Sequence, residues 1–260
     1  IVLSSLGPAN GFAGTVSNFT GTFDNIGEIV GGAAVDSLAG LDAASTWNVE
    51  VYPTFGGYTS TRTLNLALVD TFLGGSSTDS FEFADNAVLA GLVDGNAGND
   101  TLDFSAYSSI RDFSLTALGS MDGFDGTASG LGAGFRDINA ISGGTALDTL
   151  TGLNADSHWA VNAANSGIYS STNTLTFSTT DTLIGGSAAD RFDFADGATL
   201  SGLVIGGGGT DLLDYADYTT VVTVNLSVGQ ATGINGDNPS GVSLVEDISG
   251  GSHDDSLMGD

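Results

Sequence analysis

The chain has 260 residues, 41 % of them hydrophobic, enough to fill a core and to exclude wholesale disorder. Four arginines and no lysine stand against 31 Asp or Glu, a formal charge of −27 that repels nucleic acid and anionic lipid surfaces and attracts divalent cations. Cysteine is absent, which excludes disulfides and thiolate metal sites, and no run of 18 apolar residues offers a membrane-spanning helix.

The chain opens at Ile1 without Met or a charged-then-apolar leader, so it reads as a processed or excised segment. Residues 1–47 return as residues 113–159 at a constant offset of 112. GFAGT at Gly11 becomes GFDGT at Gly123, and GGAAVDSLAGLDAASTW becomes GGTALDTLTGLNADSHW. Trp47 and Trp159 fall at matched places and read as packing anchors. Beyond them the offset drops to 111, which puts a one-residue loss in the loop over residues 52–63, where Pro53, glycines and hydroxyl residues make a length change cheap. Residues 74–107 then return without a gap as residues 185–218. A further copy opens at Gly250 and is cut off at Asp260. The expected organisation is one continuous repeat domain over 1–260, with units matching 1–112, 113–223 and, in part, 224–260, as a window on a longer array.

A shorter pattern runs inside these units: Gly, then Asp five residues on, then Leu or Phe at seven. It starts at Gly31, Gly74, Gly95, Gly143, Gly185, Gly206 and Gly250, in steps of 43, 21, 48, 42, 21 and 44. Those steps read as one or two turns of 21–24 residues. Between them SFEFA at Ser80, TLTF at Thr174 and VVTVNLSV at Val221 alternate apolar and polar residues as strands do. GFRDINAI at Gly134 is the nearest approach to a helical pattern. The predicted fold is therefore all-β: a parallel β-helix (β-solenoid) of about 21–24 residues per turn, right-handed by the general preference of parallel crossovers. Phe81, Leu102, Phe192 and Leu213 belong to its inward columns.

Stacking by 21 residues sets Asp79 beside Asp100, Glu82 beside Asp103, Asp190 beside Asp211 and Asp193 beside Asp214. Carboxylates one strand apart repel, so a cation, backbone donors or solvent must compensate. Two readings stay open. These eight residues hold a metal ion, or the four aspartates of the motif cap turns by accepting backbone N–H groups. Catalysis has little footing, because acids are everywhere and the cations are unrepeated. Arg191 aligns with Ser80, Arg136 with Asp24, Arg111 with Val222 and His158 with Thr46, while His253 stands alone. They read as isolated surface side chains, and the chain as a non-enzyme.

GNAGNDTLD at Gly95 and GGGGTDLLD at Gly206 resemble the nine-residue Gly-Gly-x-Gly-x-Asp-x-apolar-x repeat of the RTX, or haemolysin-type, calcium-binding proteins. That resemblance implies Ca²⁺ held between successive turns, with Asp100 and Asp211 as ligands and Asp79 and Asp190 as weaker matches. Over nearly the whole chain, units such as TLTGLNADSHW and DTLIGGSAADRFDFADGATLSGLV resemble those of giant repetitive bacterial surface proteins. The second resemblance implies an extracellular, adhesin-like or fibre-forming segment at the cell surface. Its partners would be further repeats of the chain, copies of itself end to end, or cell-surface polysaccharide, with no nucleic acid and no membrane span. The alternatives are an RTX-like module whose folding is coupled to Ca²⁺, and a polysaccharide-active parallel β-helix enzyme.

Overall fold

The computed structural model describes residues 1–17, 20–51 and 56–260, so part of the loop assigned the length change, Pro53 included, lies outside the described residues. The protein is all-β, with strands of two to seven residues; among the described residues the helical content is two single-turn 3-10 segments, Leu226–Val228 and Asn235–Asp237. Strands form where apolar and polar residues alternate. In Asp79–Phe83 the side chains of Asp79, Phe81 and Phe83 are buried while Glu82 is exposed. Asp190–Phe194 repeats this, with Asp190, Phe192 and Phe194 inside and Arg191 outside. The inner face thus carries an aspartate beside two phenylalanines, and that placement builds the site.

The residues fall into two compact units. The first comprises residues 1–108 and 118–141. In it, strands pair in parallel from Ser37–Ala39 to Thr71–Leu73, then to Val93–Asp94 and Phe135–Ile138. A second parallel set runs from Ser45–Val49 to Asp79–Phe83 to Thr101–Asp103. The second unit comprises residues 109–117 and 142–260. Its parallel sets run from Thr149–Thr151 through Thr182–Ile184 and Val204–Ile205 to Val242–Ser243, and from Ser157–Ala163 through Asp190–Phe194 and Leu212–Asp214 to Asp247–Ser249.

The register sets matched residues side by side. Phe81 lies opposite Leu102 and Phe192 opposite Leu213, all four fully buried, as the 21-residue step predicts. The steady pitch of 21–24 residues, however, needs correction. Trp47 pairs with Phe81, Trp159 with Phe192 and Val93 with Phe135, steps of 34, 33 and 42 residues. In the first two steps the surplus is an antiparallel excursion on the same sheet. Ser45–Val49 turns back through Gly56–Thr59 and Thr63–Ala67, and Ser157–Ala163 through Ser166–Ser170 and Thr174–Ser178. Steps of 42 to 48 between glycine motifs therefore include hairpins, where two even turns were expected. The GFRDINAI segment is extended as well, forming Phe135–Ile138 and Ala140–Ser142.

Each excursion is locked by the same aromatic joint. Trp47 meets Tyr58 edge-on at 4.6 Å and stacks on Phe81 at 5.7 Å; Trp159 meets Tyr169 at 4.5 Å and stacks on Phe192 at 5.7 Å. The tyrosine hydroxyls accept the N–H groups of Leu41 and Leu153. Both tryptophans are fully buried, which makes them packing anchors.

Candidate functional site

Burying a carboxylate is costly unless hydrogen bonds replace its water. Asp79 has no exposed surface, and both its oxygens are engaged. Gly75 N–H donates to Oδ2 at 2.8 Å and Ser45 Oγ–H donates to Oδ1. The backbone N–H of Asp79 donates in turn to Asp100 Oδ1 at 2.7 Å, and Asp100 N–H donates to Asn139 Oδ1 at 3.0 Å. The second unit repeats this link by link. Gly186 N–H and Ser157 Oγ–H donate to Asp190, Asp190 N–H to Asp211 Oδ1 at 2.8 Å, and Asp211 N–H to Glu246 Oε2 at 2.8 Å. The result is a ladder of side-chain acceptors, each taking a backbone N–H from the strand before it.

The ladder extends past the residues the sequence singles out. Asp36 N–H donates to Asp70 Oδ2, Asp148 N–H to Asp181 Oδ2, Arg111 N–H to Asp148 Oδ1 and Val222 N–H to Asp255 Oδ1. Asp36, Asp148 and Asp255 lie five residues after Gly31, Gly143 and Gly250, so the motif already points to them. Asp70, Asn139, Asp181 and Glu246 follow no glycine pair, but each lies four residues before one, at Gly74, Gly143, Gly185 and Gly250, a signal that the Gly-to-Asp motif leaves out.

Two rungs differ from the rest. Asp100 and Asp211 are fully buried, yet each has an Oδ2 without a hydrogen-bond partner among the described residues. In their turns the chain must pass close to the turn beneath. Gly98 (φ +142°) and Gly209 (φ +114°) adopt a backbone that side chains disfavour, and a Cβ there would lie 2.6 Å from Ser77 O and 2.4 Å from Ala188 O. Burial pushes the Asp100 carboxyl up to about 7 and that of Asp211 up to about 6, against the bonds from Asp79 and Asp190. Burial raises Asp79, Asp148 and Asp190 too, offset in part by the donors they hold.

Calcium requires six to eight oxygens. Asp79 and Asp190 have given theirs to Gly and Ser donors, and Asp100 and Asp211 keep one free oxygen each. Among the described residues no group of three or more His, Asp or Glu side chains converges as a metal ion would need. The inner carboxylates act as backbone caps, and their side chains alone supply fewer oxygens than a calcium shell needs.

The other four candidate residues form an outer row. Glu82 lies opposite Asp103, and Asp193 opposite Asp214, as expected from the 21-residue step. Here the two units diverge. Arg191 Nε lies 2.6 Å from Asp193 Oδ1, Arg191 NH2 donates to Asp214 Oδ2 at 2.8 Å, and His158 Nε2 lies 2.5 Å from Asp193 Oδ2. His158 and Arg191, expected to be isolated, are thus partners of the acidic row. Register explains it: they face each other across neighbouring parallel strands.

No protein-family model, curated protein or solved structure matches this chain. Among the described residues no helix is long and apolar enough to cross a membrane.

Proposed function

We propose that the chain is a stretch of extracellular β-solenoid, a right-handed parallel β-helix interrupted by hairpins. It serves as a structural or adhesive segment of a repetitive bacterial surface protein and carries out no catalysis. The observation that carries this reading is the ladder: matched residues of successive parallel strands bonded to one another, with the same connections in both units. Such bonding resists shear along the stack and uses polar groups to hold strands in register, which suits a mechanical element. Asp79 and Asp190 are committed to glycine and serine donors, and Asp100 and Asp211 are closed off from solvent, which leaves them out of reach of a substrate.

Sheet edges support the assembly part of the reading. Among the described residues Ser256–Met258 pairs on one side only, with Thr223–Asn225, and Leu257 and Met258 are exposed. Asp247–Ser249 is likewise paired on one side, with Leu212–Asp214. Unpaired parallel edges are where another coil or another copy adds. Sedimentation velocity at rising protein concentration tests this, with Leu257→Lys as the edge-blocked control. Association that grows with concentration and is lost in Leu257→Lys is expected. A chain that stays monomeric throughout contradicts end-to-end assembly.

A further inference from the structure

We propose that the Glu82–Asp103 cleft of the first unit receives an arginine side chain from a protein partner. In the second unit the equivalent carboxylates, Asp193 and Asp214, already hold a guanidinium. Arg191 sets Nε against one and NH2 against the other, at 2.6 and 2.8 Å. The two acid pairs, Glu82 with Asp103 and Asp193 with Asp214, correspond in register. Asp103 Oδ1 accepts Ser105 N–H at 2.7 Å and Asp214 Oδ1 accepts Ala216 N–H at 2.8 Å, which leaves Oδ2 as the outward acceptor in both.

The first unit has the acids without the base. Ser80 stands where Arg191 does, opposite Thr101, and Thr46 stands where His158 does. The Glu82–Asp103 pair borders a cleft of about 260 Å³, which Asn48, Glu50 and Phe83 also wall. Two carboxylates one strand apart suit the planar fork of a guanidinium better than the point charge of an ammonium group. A net charge of −27 draws a basic partner to this surface. The site stands independently of the solenoid and assembly reading.

The test titrates the full chain at low salt with a short neutral-flanked peptide carrying a single arginine, and with its lysine counterpart, read by backbone amide NMR shifts. Saturable shifts confined to Asn48, residues 80–83 and residues 101–105 are expected with the arginine peptide. Lysine should bind several-fold more weakly. Ser80→Arg, which places a guanidinium in the cleft from within, should abolish the response. Arg191→Ser should add a second set of shifts around residues 191–194 and 212–216. Shifts that spread over the acidic surface alike for both peptides overturn the proposal, as does a Ser80→Arg variant that responds as the parent does. Free arginine amide binding as tightly as the peptide overturns the protein-partner assignment, in favour of a small guanidinium ligand.

Discussion

At the residue scale the fold turns on aspartates placed where side chains are normally apolar. Asp79 and Asp190 are stable inside because each carboxylate meets a glycine N–H and a serine hydroxyl. Asp100 and Asp211 are less well served, and a free buried oxygen favours the protonated acid. A carboxyl whose pKa is higher folded than unfolded binds more protons in the folded state between those two values. Stability should therefore fall as pH rises from about 4 to about 7 and then level off. Asp100→Asn with Asp211→Asn keeps an acceptor for Asp79 and Asp190 N–H while removing the titration. Urea unfolding across that pH range should show a flatter profile for the double variant. An unchanged slope would assign the pH dependence to general surface repulsion.

At the element scale each turn must fit the turn beneath it. Gly98→Ala puts a Cβ against Ser77 O with an unfavourable backbone, and it should cost roughly 1–3 kcal/mol in denaturant unfolding. Ser77→Ala, at the matched place one turn earlier, should change stability by less than about 0.5 kcal/mol. Equal effects would contradict the stacking of these turns. Much of this was legible in the sequence, because a 21-residue repeat aligns Asp79 with Asp100 and Phe81 with Leu102 wherever the strands are parallel. The hairpins were not. Gly56–Thr59 has no alternation and lies in the stretch expected to be a loop. Thr174–Ser178 shows only the short alternation common to any strand, and period two does not distinguish a parallel neighbour from an antiparallel one. The His158–Asp193–Arg191 cluster also escaped the repeat, since its cations occur in a single copy and only the register brings them together.

At the scale of the whole molecule the acidity has two separate origins. The inner ladder spends its carboxylates as hydrogen-bond acceptors, while the outer surface carries the excess that gives −27. Mutual repulsion of that excess opposes folding and is relieved by screening. Added salt should raise the melting temperature. Ca²⁺ should do no more than Mg²⁺ at equal ionic strength, and a chelator should do nothing once screening is matched. A saturable rise specific to Ca²⁺ in thermal melts would show that the free oxygens of Asp100 and Asp211 belong to a metal shell.

The most direct measurement uses the absence of native cysteine. Ser80→Cys with Thr101→Cys places two thiols on register partners of neighbouring parallel strands, within disulfide reach. Ser80→Cys with Leu73→Cys serves as the control, since Leu73 pairs with Ala39 and Asp94 in the other strand set. Under mild oxidation the first pair should close an intramolecular disulfide in high yield without loss of stability, and the control should stay reduced. Failure of the first pair to close, or equal closure in both, would contradict the parallel register on which the ladder and its function rest.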